Sequence, residues 1–122
     1  MRIFGVVAVI LVGLALAGTA LAARQPTRAE RAAITRVMTA KGVPRVCFPL
    51  DIRVSTRNSR YASAVYRSVM ACGIVVGNGL SIVKRIGYRR WRIVETGSSL
   101  GCNGDGRVPR AVLQDLLTYC RP

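Results

Sequence analysis

The chain has 122 residues with 19 Lys and Arg against five Asp and Glu, a formal net charge of +14, and no histidine. That length allows one domain with a thin core. Without histidine the usual general base near neutral pH is missing, and Ser–His and Cys–His nucleophile pairs are excluded. The acids Glu30, Asp51, Glu95, Asp105 and Asp115 show no spacing that brings two together on one element. These observations predict a protein that is not an enzyme, with no cofactor and no metal.

The N-terminal segment has the form of a secretory signal peptide. Arg2 precedes an apolar run from Ile3 to about Ala17, and the small residues Thr19-Ala20-Leu21-Ala22-Ala23 follow. Ala20 and Ala22 stand at the two small positions of an A-x-A site, which predicts cleavage between Ala22 and Ala23 or one residue later. An uncleaved N-terminal helical anchor is the alternative, since about 20 apolar residues suffice to span a bilayer. No Cys follows the run, so there is no site for lipoprotein acylation. We therefore expect residues 1–22 to be the signal and 23–122 to be a single secreted domain.

In an oxidising compartment the four cysteines, Cys47, Cys72, Cys102 and Cys120, predict two disulfides. Three connectivities are formally open. Pairing Cys102 with Cys120 and Cys47 with Cys72 is favoured because each bridge then joins neighbouring elements. A zinc site is not supported, because the chain lacks C-x-x-C as well as histidine.

Along the mature chain, Thr27-Arg28-Ala29-Glu30 is a capping box and predicts a helix start. Ile34, Val37, Met38 and Lys41 share one stripe, and Gly42 followed by Pro44 supplies the stop. From Val46 the period changes to two: Val46, Phe48, Leu50, Ile52 and Val54 alternate with polar or small residues, which predicts a strand buried on one face. Pro49 cannot donate to a ladder, so this strand belongs at an edge or carries a bulge. Arg57-Asn58-Ser59-Arg60 reads as a turn. Tyr61 to Val76 reads mainly as strand from its Val, Ile and Tyr content, although Tyr61, Val65, Ser68, Val69 and Cys72 would also suit a helix.

Gly77-Asn78-Gly79 forms the next predicted turn, with strands Leu80–Ile86 and Arg89–Thr96 around a Gly87-Tyr88 loop. Such a hairpin sets Ile86 against Arg89 and Arg85 against Arg90. Leu80, Ile82, Ile86, Trp91 and Ile93 would line the core side, and Val83, Arg85, Arg90 and Arg92 the other. Opposed arginines repel unless solvent screens them or an anion sits between them. Arg85, Arg90 and Arg92, with Arg89, are therefore the candidate anion-binding residues. The stretch from Gly97 to Gly106 reads as a flexible turn closed by Cys102. Asn103-Gly104-Asp105-Gly106 lacks the later Glu of a calcium loop, and no Walker pattern is present. Pro109 opens a last helix whose Val112, Leu113, Leu116, Leu117 and Cys120 form one apolar stripe, turning Cys120 inward toward Cys102. Helix, about four strands and helix predict an α+β domain with the first helix packed on an antiparallel sheet.

Seventeen of the 19 basic residues are arginine. Arginine forks bind carboxylate and phosphate bidentately, so an arginine-rich surface attracts anionic polymers. A GC-rich genome would also raise arginine over lysine, but it does not explain the scarcity of acids. For a secreted chain the available polyanions are envelope glycopolymers, anionic lipid head groups and extracellular nucleic acid. The tyrosines do not interleave with the arginines, and no helix-turn-helix or RNA-recognition motif is present, so no specific nucleic-acid partner is expected. The sequence predicts a small basic binding protein contacting anionic envelope or extracellular material. The alternatives are a secreted inhibitor or antagonist acting through a loop such as 97–106, and a membrane-active cationic protein. A protein partner and the oligomeric state stay open.

Trp91-Arg92-Ile93-Val94-Glu95-Thr96-Gly97-Ser98, then Cys102, Val108-Pro109-Arg110-Ala111-Val112, and Asp115-Leu116 up to Cys120, resemble small uncharacterised exported proteins of actinobacterial type. Those carry a W-x-V-x-x-G-[ST] strand end, a Cys, a V-P and a terminal D-L…C. Arg53-Val54-Ser55-Thr56 with Tyr61-Ala62 is similar to their upstream strand and turn. The resemblance covers roughly half of the mature chain. It implies a small α+β domain with a helix against a curved sheet, broadly cystatin-like or steroid-isomerase-like in shape. The Q-x-V-x-G signature of cystatin inhibitors is absent, so protease inhibition does not come with the resemblance.

Overall fold

Local chemistry sets the first helix. In the computed structural model, which describes residues 23–66, 79–97, 100–104 and 106–122, α1 spans Arg28–Ala40 and starts at the expected capping box. Thr27 Oγ1 accepts from the Glu30 amide at 3.1 Å, and the Glu30 carboxylate accepts from the Thr27 amide at 2.8 Å. At the other end Gly42 adopts φ 89°. Its amide donates to Thr39 and that of Val43 to Met38, the two bonds of a Schellman stop.

A 3-10 turn, Arg45–Cys47, follows. The expected strand from Val46 is therefore shorter than its alternation suggests. Val46 is 62 % exposed while Cys47 is buried, the reverse of the predicted phase. Prolines 44 and 49 bracket the segment and remove two backbone donors, so it coils instead of joining the ladder. Strand β1 is only Asp51–Val54, with Ile52 and Val54 buried as the pattern required. It lies at the sheet edge, where Pro49 is tolerated just ahead of it.

Strands β2 (Tyr61–Val65), β3 (Leu80–Gly87) and β4 (Arg90–Gly97) complete an antiparallel meander in the order β1-β2-β3-β4. Both faces of the sheet are covered. On one face, Ala33, Ile34 and Met38 of α1 pack with Ile52, Val54, Ala62, Ala64, Val83 and Trp91. On the other, Val112, Leu113 and Leu116 of α2 (Arg110–Leu116) join Tyr61, Leu80, Ile82 and Val108. Leu117 and Cys120 extend that cluster through a 3-10 turn, Thr118–Cys120. Double coverage explains why Tyr61 onward shows no clean alternation: four of the five β2 residues are buried, as for any strand packed on both sides.

The β3–β4 pairing corrects the predicted hairpin. Its two-residue loop is Tyr88-Arg89, one position later than Gly87-Tyr88, and Arg89 supplies the left-handed residue (φ 53°). Register shifts fall between Ile82 and Val83 and between Arg85 and Gly87, leaving Val94 and Ile86 unpaired. Arg85 consequently stands opposite Trp91, Lys84 opposite Arg92, and Gly87 opposite Arg90. A one-residue slip exchanges the faces of a strand. Trp91 and Ile93 thus share the α1 face with Val83 and Arg85, whereas Leu80 and Ile82 lie on the α2 face with Lys84 and Arg92.

Among the described residues there is one disulfide where two were expected: Cys102–Cys120, with Cα atoms 5.2 Å apart. Cys47 is buried in the α1 core. Its expected partner Cys72 lies outside the described residues, as do the 1–22 segment, residues 67–76 of the expected second strand, Gly77-Asn78, Ser98 and Asp105. No helix among the described residues is long and apolar enough to cross a membrane.

Candidate anion-binding surface

The register decides which cations meet. Lys84 and Arg92 are cross-strand neighbours on the α2 face of the hairpin, and the chain returns beside them at Gly106 and Arg107 after the Cys102 loop. These elements enclose a concavity of about 420 Å³ lined by Lys84, Arg92, Ile93, Val94, Gly106 and Arg107. Among the described lining residues three are cationic and none is acidic. Val94, pushed out of register by the bulge, contributes part of the apolar wall.

Tyr61 supports this corner from beneath. The Lys84 Nζ lies 5.5 Å from the centre of its ring, a cation–π contact that holds the ammonium at the rim. Its hydroxyl approaches the Arg107 carbonyl at 3.5 Å. Tyr61 is 5 % exposed, so the aromatic ring is a fixed post.

The candidates from sequence are split by this geometry. Arg92 lines the concavity. Arg85 points to the α1 face of the sheet, beside Trp91, and its amide donates to the Arg60 carbonyl at 2.7 Å. Arg89 and Arg90 sit at the turn, where the Arg89 guanidinium stacks 5.1 Å from the centre of the Tyr88 ring. Every residue from Arg85 to Arg90 is exposed. The predicted Arg85–Arg90 confrontation is absent, and the cross-strand cation pair is Lys84–Arg92. Lys84 and Arg107 were not among the candidates. Lys84 was visible as the one lysine of the hairpin, but Arg107 comes near only through the tertiary return of the chain.

No protein-family model matches the chain, and no curated protein or solved structure matches it.

Three of the described acids, Glu30, Asp51 and Asp115, serve the fold. Glu30 takes a bidentate fork from Arg24, at 2.7 and 2.9 Å. The hydrogen bond from Arg24 outweighs desolvation and, with the bonds from Thr27, lowers the carboxyl to about 2. Asp51 pairs with Arg53 at 3.3 Å on the surface. Glu95 lines a second concavity of about 300 Å³ with Leu100, Cys102 and Leu113. That loop is tethered on the far side as well, since Tyr119 Oη lies 2.9 Å from both the amide and the carbonyl of Leu100. Gly104 leaves no room for a side chain, because a Cβ would sit 2.5 Å from the Val108 carbonyl.

Asp115 was the least legible functional group. It is 8 % exposed on α2, and its Oδ2 accepts from Ser55 Oγ at 2.8 Å, the Thr56 amide at 2.6 Å and the Arg57 amide at 3.3 Å. The Thr56 hydroxyl lies 3.1 and 3.2 Å from its two oxygens, and the Ala23 nitrogen donates to Oδ1 at 2.8 Å. Desolvation would raise this carboxyl, but the bonds from Ala23, Ser55, Thr56 and Arg57 prevail and lower it. The signals in the sequence are an acid at the margin of an otherwise apolar helical arc and its place in the D-L…C pattern, neither of which shows that it is buried.

Proposed function

We propose that this is a secreted, non-catalytic binding protein that holds anionic groups of envelope or extracellular material in the concavity between β3–β4 and Arg107. The observation that carries it is the convergence of Lys84, Arg92 and Arg107 on one concave site. Arginine forks beside a fixed ammonium suit phosphate or carboxylate groups. The signal-peptide form of 1–22 supports export, and the pairing of Cys47 with Cys72 belongs to the same proposal. The cystatin-like shape and the kinship with small exported actinobacterial-type proteins belong to the same proposal, beside an α+β fold with a four-stranded antiparallel meander. The residues that carry it include core Trp91, bridged Cys102 and Cys120, and buried Asp115, so it speaks to fold more than to ligand.

Retention on an immobilised polyanion tests the site. The Lys84→Ser/Arg92→Ser/Arg107→Ser variant should elute at lower salt than Arg28→Ser/Arg36→Ser/Arg45→Ser, which removes the same charge from the exposed side of α1 and the turn after it. Equal shifts would mean that net charge alone accounts for binding, and the concavity proposal would fail. A second reading, contact with an anionic lipid surface, is favoured by the turn itself. Tyr88 is 83 % exposed and Ile86 48 %, both set among Arg85, Arg89 and Arg90. Sedimentation with anionic but not neutral vesicles, lost in Ile86→Ser/Tyr88→Ser, is its expected result.

A further inference from the structure

The described chain begins at a constrained point. Ala23 has φ 37°, a left-handed conformation that L residues with a Cβ adopt at a cost of about 1–2 kcal/mol. The next residue, Arg24, pairs with Val54 in both directions, donating to its carbonyl at 2.7 Å and accepting from its amide at 2.8 Å. Arg24 is fixed again through its side chain by Glu30. Residue 23 is thus held at the edge of β1 with its nitrogen aimed at Asp115 Oδ1, 2.8 Å away.

The sequence places the expected cleavage at this residue, after Ala20-Leu21-Ala22. In the intact chain the Ala23 nitrogen is a neutral amide, and one N–H meets a buried carboxylate. Hydrolysis of the Ala22–Ala23 bond adds water across it, giving a carboxylate on Ala22 and an α-ammonium on Ala23. Two consequences follow without any movement of the chain. A unit positive charge appears 2.8 Å from Asp115 Oδ1, and φ of residue 23 loses the preceding carbonyl that makes it strained.

We propose that signal cleavage between Ala22 and Ala23 creates an α-ammonium that Asp115 captures, so that processing on export locks the N-terminus, the 55–57 turn and α2 together. The inference rests on the secretory reading of residues 1–22 and deepens it. Among the described residues the other charged groups around this carboxylate are few. Arg57 contributes its amide, Arg121 reaches the Asp115 carbonyl at 3.5 Å, and Arg24 is engaged by Glu30. Among the described residues, therefore, no cationic side chain pairs with the Asp115 carboxylate toward the position that the new ammonium occupies. An ordinary α-amino group titrates near 7.7–8.0, and capture raises that value. The added stability is then complete below the ordinary value and is lost as pH rises through the raised one.

The test expresses the full chain with its leader and analyses the exported product. Terminal sequencing should read Ala23; an uncleaved chain, or a different first residue, would overturn the secretory assignment and the proposal with it. A second full chain, with Gly-Ser inserted after Ala22, yields a product in which the Ala23 nitrogen remains an amide. At pH 7 the Ala23 product should have a folding constant about tenfold larger, the equivalent of raising the ammonium pKa by one unit. The gap should close at high pH. Equal folding constants at pH 7 would refute the ion pair while leaving the cleavage site intact, so the two failures are distinguishable. In Asp115→Asn the gap should vanish, and its persistence would also refute the pair. Should that variant fail to export, acylation of the α-amine in the Ala23 product decides the matter: the native protein should react more slowly than the unfolded one, and equal rates overturn the proposal.

Discussion

Replacing Asp115 by Asn keeps the shape of the side chain and removes one acceptor oxygen together with the charge. Whichever way the amide is turned, its NH2 faces a donor. Placed at the Oδ2 position it meets the Thr56 and Arg57 amides, and placed at Oδ1 it meets the Ala23 nitrogen. At least one backbone N–H is then left without its acceptor, at about 1–3 kcal/mol, while the bonds that survive are reduced from charge-assisted to neutral. The sum is about 2–4 kcal/mol, a large share of the 5–15 kcal/mol typical of a small domain. Urea denaturation at pH 7 with the disulfide intact should move the midpoint down by about 1–2 M, given slopes of about 1–3 kcal/mol/M. The wild type should in addition lose stability as pH falls below the ordinary carboxylate value and through the lowered value of Asp115, a limb missing from the variant. A midpoint within about 0.2 M of wild type, which is within extrapolation error, would refute the view that this carboxylate clamps three segments.

Two further perturbations probe the ends of the domain. Cys102→Ser/Cys120→Ser opens a loop of sequence separation 18, and chain entropy predicts a loss of about 3 kcal/mol; a thermal unfolding shift corresponding to less than about 1 kcal/mol would show that Tyr119 and the α2 stripe hold the loop without the bridge. Glu30→Gln removes both the fork to Arg24 and the charge at the start of α1. Because the wild-type carboxyl sits at about 2, its contribution is present above its usual value near 4.5 and fades as pH falls toward 2. With the Arg24 side chain 39 % exposed, solvent screening limits it to about 1 kcal/mol, and acid-unfolding curves of variant and wild type that superimpose would disprove it.

The elements written in local chemistry were legible. A capping box needs four residues and a Schellman stop needs a glycine in the right place, so α1 followed from Thr27, Glu30 and Gly42 without tertiary information. The apolar arc from Val112 foretold the burial of α2 and the Cys102–Cys120 bridge, but the helix stops at Leu116, four residues short of the expected reach, and a 3-10 turn rather than a continued helical stripe brings Cys120 inward. Elements whose pattern depends on what covers them were harder. Val46 alternated correctly for a strand, yet the flanking prolines lack donors of their own, and the Cys47 amide between them closes a 3-10 turn on the Pro44 carbonyl instead of joining the ladder. The strand beginning at Tyr61 read ambiguously because helices cover both of its faces, and periodicity disappears when neither face meets water.

The candidate site was legible in composition but not in position. Two bulges and a turn displaced by one residue move Arg92 to the side of Lys84 and send Arg85 to the opposite face. No single residue of the hairpin signals those bulges; Ile86 and Val94 are ordinary strand residues, and the left-handed residue of the turn is an arginine, not the adjacent glycine. The scarcity of acids, by contrast, acquires a structural meaning. Glu30 closes a helix cap, Asp51 faces Arg53, and Asp115 is buried under five donors, so these three carboxylates are committed within the fold. A biased genome accounts for arginine outnumbering lysine, but it does not select where the acids stand. What selects these three is use inside the fold, and among the described residues Lys84, Arg92 and Arg107 gather on one rim of the surface away from them.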